Sequence, residues 1–369
     1  MGKPLRILVW QWGRRGGGPR VAVEIAESLA TVAGTTSLLS LSAQSELLHG
    51  RNPPDCALPF PTYFSLVGFL LRLLTIPFSR PGLIRRLRAL APDVAFCAMP
   101  AALDLLMASA LRQLGVPFFV LIHDADAHPG DATPMQMALQ RHLAARATGL
   151  ATLSRHVADT LTARGEIGDR PVLTLSHPPR SFGPVPAQPR SHSGPLRLLF
   201  FGRLLPYKGL NLFADALRLI GDNPDLEVRI AGHGPDSPAL AALSAMPGVT
   251  VDNRWVPEDE IAGLLAWSDA LVLSHIEASQ SGVAAAAIAA RRWVVSTRVG
   301  GLVEQLQHEP LARMCDPDAA SLSEAILSLL SDPPPLAAAA QDPADAWHDM
   351  ASSLVAQLRP LLHQPLLQA

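Results

Sequence analysis

His275 to Glu304 reads HIEASQSGVAAAAIAARRWVVSTRVGGLVE. Just before it, Ala270 to Ser274 (ALVLS) is a mostly apolar run of strand length. An acid follows, Glu277, then the polar residues Ser279, Gln280 and Ser281, then Gly282. From Val283 to Ala290 nearly every residue is a strong helix former. Trp293 to Val299 returns to an apolar strand pattern, and Gly300-Gly301 marks a turn. Strand, tight turn, helix and strand in this order form the repeating unit of a parallel sheet. Small residues at a helix start let an anion approach the backbone N–H groups, and the helix dipole favours negative charge there. Ser281, Gly282 and Val283 are therefore candidate contacts for a diphosphate, with Glu277 at the mouth to accept hydrogen bonds from hydroxyls. The bland alternative is a strand–helix–strand unit with no ligand.

Working outward, the same alternation fills the second half. Leu196 to Phe201 is a strand, followed by Gly202-Arg203-Leu204-Leu205-Pro206-Tyr207-Lys208-Gly209 and a helix from Leu210 to about Ile220. Arg203 offers a rigid fork of donors and Lys208 a point charge to an anion beyond the strand end. Glu227 to Ala231 is a strand ending in Gly232-His233-Gly234-Pro235, and Val249 to Trp255 is another. Trp255 by itself reads as a packed loop residue. Glu258 to Trp267 is a short helix with acids in its first turn. Residues 311–315 look like a last strand, and Leu322 to Leu330 like a helix. A final helix from about Pro343 to Arg359 keeps Trp347, Met350, Leu354 and Leu358 on one face, and Pro360 should end or kink it.

The first half opens with a strand, Arg6 to Trp10, a loop from Gln11 to Pro19 and a helix from Arg20 to about Ala33. Gly16, Gly17 and Gly18 let a substrate approach the loop backbone, but the spacing is not the GxGxxG of a dinucleotide site. Strands recur near 36–42, 93–99, 117–123, 149–154 and 171–176, with helices near 82–91, 101–114, 133–147 and 155–165. This alternation predicts a parallel sheet covered on both faces. The strand Phe118 to Ile122 runs into His123-Asp124-Ala125-Asp126-Ala127-His128. This cluster has three readings: a DxD-like metal site, a histidine facing a substrate, or acids that cap the turn and the next helix. Ser154 is either near a substrate or a helix N-cap. Pro178 to Pro195 (PPRSFGPVPAQPRSHSGP), with six prolines in eighteen residues, reads as an extended linker.

Composition narrows the class. The chain has 369 residues, long for one domain, so two are expected. A net charge of −2 argues against a general nucleic-acid binder. Cys56, Cys97 and Cys315 are widely spaced, so neither a zinc site nor a disulfide framework is suggested, and a reducing cytosol fits. The first ten residues run straight into a strand with no signal-peptide pattern. Phe64 to Phe78 (FSLVGFLLRLLTIPF) is the longest apolar run, too short to span a bilayer. Residues 51–90 hold six arginines and a single acid, Asp55. This region reads either as a segment lying on an anionic membrane surface or as a core helix followed by a solvated basic one.

Glu277 with the tail Gly300, Gly301, Leu302 and Glu304 resembles the motif of the retaining glycosyltransferases of the GT-B fold, the family-four group. Gly202-Arg203-Leu204 through Lys208-Gly209 is similar to that family's Gly-Arg-Leu-x-x-x-Lys-Gly. The resemblance implies an α/β fold of two Rossmann-like parallel-sheet domains facing a cleft. It divides the chain into an acceptor domain (1–177), a linker (178–195), a nucleotide-sugar domain (196–342) and a terminal helix returning to the first domain (343–369). It assigns catalytic roles to His123, Glu277, Arg203 and Lys208. It assigns nucleotide-sugar contacts to Gly17, Gly18, Gly202, Gly232, Gly234, Trp255, Ser281, Gly282 and Val283, together with Arg203, Lys208 and Glu277. No metal or cofactor is implied. The family's second acid, which holds the nucleotide ribose, falls at position 285, and here that residue is Ala285. The implied activity is hexosyl transfer from a GDP-mannose or UDP-hexose type donor to a glycan or polyprenyl-linked saccharide, in exopolysaccharide or lipopolysaccharide assembly. The place expected is the cytoplasm, on the inner face of the cell membrane, with the apolar and basic residues of 64–90 as the candidate for peripheral contact. A sugar-nucleotide epimerase or hydrolase on the same fold is the alternative, as is a non-catalytic relative on account of Ala285.

Overall fold

The computed structural model describes residues 3–50, 52–130, 134–336 and 341–363. The chain divides into two units. The first takes the residues up to Asp126, those from 134 to Leu175, and those from Trp347 on; the second takes Ala127 to Gly130 and Ser176 to Ala346.

The first unit contains β1 (Leu5–Gln11), α1 (Gly17–Thr31), β2 (Thr35–Leu41), α2 (Leu66–Leu90), β3 (Val94–Cys97) and α3 (Asp104–Gln113). It continues with β4 (Phe118–Ile122), α4 (Pro134–Ala144), β5 (Gly149–Thr152), α5 (Arg155–Ala163) and β6 (Val172–Thr174). The sheet is parallel throughout, in the order β2-β1-β3-β4-β5-β6. Its strands are almost continuously apolar because both faces are covered. Leu8, Trp10, Cys97, Val120 and Ile122 feed one core, while Ile7, Val9, Phe96, Phe119 and Leu121 feed the other.

The second unit contains β7 (Leu196–Phe201), α6 (Leu210–Ile220), β8 (Leu226–Gly232), α7 (Pro238–Ser244), β9 (Val249–Asn253) and α8 (Glu258–Trp267). Then come β10 (Ala270–Leu273), α9 (Gly282–Ala289), β11 (Trp293–Thr297), α10 (Gly301–Leu306), β12 (Ala312–Cys315) and α11 (Ala319–Ser331). Its sheet is also parallel, ordered β12-β11-β10-β7-β8-β9. The strand order reverses between β7 and β10. In such sheets ligands gather at that switch point, beyond the carboxyl ends of the strands. The last helix, α12 (Pro343–Leu362), joins the first unit from Trp347 onward, burying Trp347, Met350, Leu354 and Leu358 in the core that holds Ile7 and Val9.

Several elements differ from the sequence reading. Helix α1 starts at Gly17, not Arg20, because a proline in the first turn lacks only an amide that has no acceptor within the helix anyway. The apolar run and the basic segment form one helix, α2, through Pro77 and Pro81. Both prolines are exposed, so the carbonyls they leave unbonded face water. Pro360 lies inside α12, which runs on to Leu362. The Gly300-Gly301 turn opens a further helix, α10, and α7 was not anticipated.

The proline-rich segment has no regular structure, yet it is pinned to the second unit. The Arg180 amide donates to the Ala285 carbonyl at 3.0 Å. Arg292, 1% exposed, donates to the carbonyls of Ser268 (2.8 Å), Ala290 (3.0 Å) and, in the segment itself, Ala187. The buried carboxylate of Asp269 accepts from the Arg190 amide (2.5 Å) and the Arg197 amide (2.9 Å), with the His192 ring 3.0 Å away.

Asp104, at the start of α3, is buried; one of its oxygens accepts from the Ala101 amide (2.7 Å) and the Cys97 thiol (3.5 Å). Burial pushes its pKa up from 3.8 to about 7, although these donors pull the other way. A carboxyl with a raised native pKa binds its proton more tightly in the folded state. Its stabilising contribution is complete below the unfolded pKa and is lost as pH rises through about 7. Relative to Asp104→Asn, the wild-type unfolding free energy should therefore fall by about 2 kcal/mol between pH 5 and 7.5 and stay level above that. Denaturant titrations across this range check it. Parallel curves for the two proteins would contradict it.

Candidate active site

The carboxyl ends of β7, β8 and β10 meet with very little room. A Cβ at Gly232 would lie 1.7 Å from the Gly202 carbonyl oxygen, and one at Gly234 would lie 2.2 Å from that of Leu204. Asn253, at the end of β9, fixes this corner by accepting from the Gly234 amide (3.1 Å) and donating to its carbonyl (3.2 Å). Beyond Arg203 the chain makes a single 3₁₀ turn, Pro206–Lys208, closed by Gly209 at φ 74°. A Cβ there would lie 1.7 Å from the Ser274 carbonyl oxygen. The Ser274 hydroxyl donates to the carbonyls of Lys208 (3.1 Å) and Gly209 (3.0 Å), and the Ile276 amide donates to that of Tyr207 (2.9 Å). The turn after β7 is thus bolted to the end of β10.

This bolt places Lys208, 8% exposed, with its ammonium 2.8 Å from Nε2 of the buried His275. Burial holds the His275 pKa well below 6.5, and the positive charge of Lys208 acts in the same direction. The ring is neutral at physiological pH and Nε2 accepts from the ammonium, so its proton sits on Nδ1. Tyr207 joins the parts. Its hydroxyl accepts from the Arg203 guanidinium at 2.9 Å, and the Lys208 ammonium lies 5.1 Å from its ring centroid. The His128 ring stacks on it at 4.5 Å and 14°. His128 Nδ1 in turn lies 3.0 Å from the carboxylate of Glu277, which is half exposed.

Helix α9 starts beside this group. Ser281 caps it by accepting from the Ala284 amide at 3.3 Å. The Gln305 amide grips Ser281 at both backbone groups, each at 3.0 Å. A Cβ on Gly202 would touch a Val283 methyl at 3.3 Å, so the end of β7 abuts the first turn of α9. Gly202, Arg203, Lys208, Glu277, Ser281, Gly282 and Val283 therefore form one neighbourhood at the switch point. It holds two cations, a helix N-terminus and a carboxylate able to accept from hydroxyls. That combination suits a diphosphate joined to a polyol.

The remaining candidates belong to other elements. Gly17 and Gly18 form the first turn of α1 in the first unit. His123, 8% exposed, ends β4 with Nε2 3.0 Å from the Ala98 carbonyl. The rest of the cluster after β4 splits: Asp126 pairs with Arg164, while His128 serves Glu277. Among the described residues no three His, Cys, Asp or Glu side chains gather to hold a metal ion. Ser154 caps α5 by accepting from the Val157 amide at 3.3 Å. Trp255 follows β9, two strands from β7, and is 56% exposed. Ala285 is fully buried.

Tyr207, His275, Asn253 and Gln305 escaped the sequence reading. For His275 a signal existed, since it directly follows the strand that neighbours β7 across the switch. Tyr207 stood between the two predicted cations, but nothing local marked it as the ring they share.

Residues 15–177 match the family described as Glycosyltransferase Family 4, and residues 195–332 match Glycosyl transferases group 1. The chain belongs to the group 1 glycosyltransferases of the GT-B fold. The 2-deoxystreptamine glucosyltransferase of Streptomyces kanamyceticus is 26% identical over 62% of this chain, and the matched stretch spans 65% of that enzyme's length. The Anabaena protein HepE, solved with UDP-glucose, superposes with a TM-score of 0.68 at 17% identity, covering 97% of this glycosyltransferase and 99% of its own chain. The lipopolysaccharide outer core galactosyltransferase WaaB superposes at 0.62 and 14% identity, covering 97% and 100%. At such identities these two likenesses speak for the fold alone.

Proposed function

We propose that this glycosyltransferase moves a hexose from a nucleoside-diphosphate sugar, bound at the β7–β10 switch of its second unit, to a glycan or lipid-linked saccharide. The observation that carries the reading is the Arg203–Tyr207–Lys208–His275 group. Nε2 of the neutral His275 ring accepts from the Lys208 ammonium and orients it. This charge meets the departing diphosphate, where preorganised electrostatics is commonly the largest catalytic effect. Arg203 and the start of α9 add to it, so the reading assigns the diphosphate charge to the protein's own groups. Glu277, backed by His128, accepts hydrogen bonds from the sugar hydroxyls and fixes the ring.

The reaction proceeds with retention. The bond from the anomeric carbon to the phosphate oxygen breaks, and the acceptor oxygen bonds to the same face. The leaving phosphate takes the acceptor's proton. The products are the glycoside and the nucleoside diphosphate. The 2-deoxystreptamine glucosyltransferase supports a hexose as the transferred sugar, and HepE, which shares the fold, binds UDP-glucose. Ala285 brings no carboxylate to the ribose, so that contact falls to another group.

A thermal-shift panel of UDP-, GDP-, ADP- and dTDP-hexoses tests the donor site, run on wild type and Arg203→Ala. A ligand at about 100 times its Kd stabilises the native state by about 2.7 kcal/mol. One nucleotide should raise the wild-type midpoint by several degrees, and Arg203→Ala should lose most of that gain. If no nucleotide shifts wild type at millimolar concentration, the donor reading fails. Inversion at the anomeric centre of the product would overturn the retaining course.

A further inference from the structure

Helix α2 is the anomaly of the first unit. Its last turns are ordinary, with Leu83, Ile84 and Leu87 buried in the core. Its first half is not. Leu66, Val67, Leu70, Leu71, Leu74 and Phe78 are each more than half exposed, Phe78 at 85%. At 100° per residue these six fall within a sector about 140° wide, over a length of about 18 Å. Soluble monomers rarely leave so contiguous an apolar face in water, and such faces mark interaction sites.

The charge pattern selects the occupant. No Asp or Glu occurs from residue 56 to residue 92. Arg85 and Arg88 are exposed and fall in the same sector as the apolar face, about two and three turns beyond Phe78. Arg80 and Arg86 are tied inward, to Ser109 and to the Pro59 carbonyl. One surface therefore runs from aliphatic to cationic along the helix, which itself carries no acid. By length and composition α2 is apolar enough to cross a bilayer. It cannot do so in this fold, because its last turns pack against the sheet. A helix of this kind lies in the membrane interface, apolar side chains at the acyl boundary and arginines at the headgroups.

We propose that α2 docks the first unit onto an anionic phospholipid bilayer, inserting Leu66 to Phe78 and setting Arg85 and Arg88 against lipid phosphates. The proposal is independent of the donor chemistry.

Flotation of the purified full chain tests it, using vesicles of pure phosphatidylcholine and vesicles with about one third phosphatidylglycerol. Wild type should float with the anionic vesicles and bind the neutral ones at least tenfold more weakly. The Leu70→Gln/Leu74→Gln pair should lower partition at least tenfold, since each exposed leucine contributes burial only in lipid. Arg85→Gln/Arg88→Gln should lower it by about fivefold per charge. All these side chains are exposed, so thermal midpoints should match wild type and show that the fold survives. Wild type failing to float with anionic vesicles overturns the proposal, as does equal binding to both vesicle types or unchanged binding by the leucine pair. Light scattering adds one more outcome. A lipid-free dimer that the leucine pair dissociates, with no vesicle binding, would assign the face to a second copy of the chain and sink the membrane reading.

Discussion

Replacing Lys208 with Ala should slow sugar transfer by about two to three orders of magnitude, the usual effect of removing one preorganised charge from a developing anion. The effect should fall on kcat more than on KM, because the diphosphate gains its charge only as the glycosidic bond breaks. The fold should survive. The ammonium is buried beside a neutral ring, so its loss relieves desolvation even as it leaves Nε2 of His275 without its donor. That orphaned acceptor sets a stability cost of about 1–3 kcal/mol. A second readout follows from the same geometry. The charge of Lys208 is one of the forces holding the His275 pKa down, so the variant's ring should titrate closer to the ordinary histidine range. Burial, the larger force, still keeps it low. Steady-state kinetics and histidine NMR check the two effects. A variant with kcat within threefold of wild type would falsify the role given to Lys208.

Gly209→Ala should be among the most destabilising single substitutions in the second unit. Two penalties coincide there. The backbone sits at φ 74°, which costs an L-residue about 1–2 kcal/mol. The new methyl would also lie 1.7 Å from the Ser274 carbonyl oxygen, which is strand-end backbone and cannot rotate away. Together we expect about 4 kcal/mol, within the range reserved for strained backbone positions, and loss of nucleotide binding, because the turn carrying Lys208 is displaced. Gly221 supplies the control. Its φ is also 74°, but nothing lies within 4 Å of the Cβ site. Gly221→Ala should cost only the conformational penalty, about 1–3 kcal/mol, because φ 74° with ψ −167° is a region essentially reserved for glycine. Equal midpoint losses for the two variants would show that the contact with Ser274 relaxes and that the bolt is not rigid.

These residues also show how far the sequence could be read. The core strands of both sheets were legible because a doubly covered parallel strand is a short apolar run, and Leu196–Phe201 or Trp293–Thr297 can hardly be anything else. Arg203 and Lys208 were legible because two cations and two glycines fall together after such a run. The parts of the site that depend on contacts distant in sequence were hidden. His128 reaches Glu277 across 149 positions, and Lys208 reaches His275 across 67. No local period reports such pairings. Helix α2 was misjudged for a different reason. Proline propensity argues for a break at Pro77 and Pro81, but it is measured where the freed carbonyls must find protein partners. Here the prolines sit on the exposed side of the helix. The segment 178–195 was rightly seen as irregular, yet composition could not reveal that Arg292 and Asp269 hold it in place.

The return of α12 to the first unit has a consequence for how the chain is made. One apolar face of the first sheet, including Ile7, Val9, Phe96 and Leu121, shares its core with Trp347, Met350, Leu354 and Leu358. A ribosome adding about 5–20 residues per second completes Leu175 and then needs about ten to thirty seconds to reach Trp347. Throughout that interval α1 already packs on this face with Val21, Ile25 and Leu29, but the part that α12 will cover stays open, while the later unit, whose sequence is continuous from Ser176 to Ala346, can already close. The nascent chain thus finishes its beginning last, and holdase chaperones have their natural target in the half that emerges first.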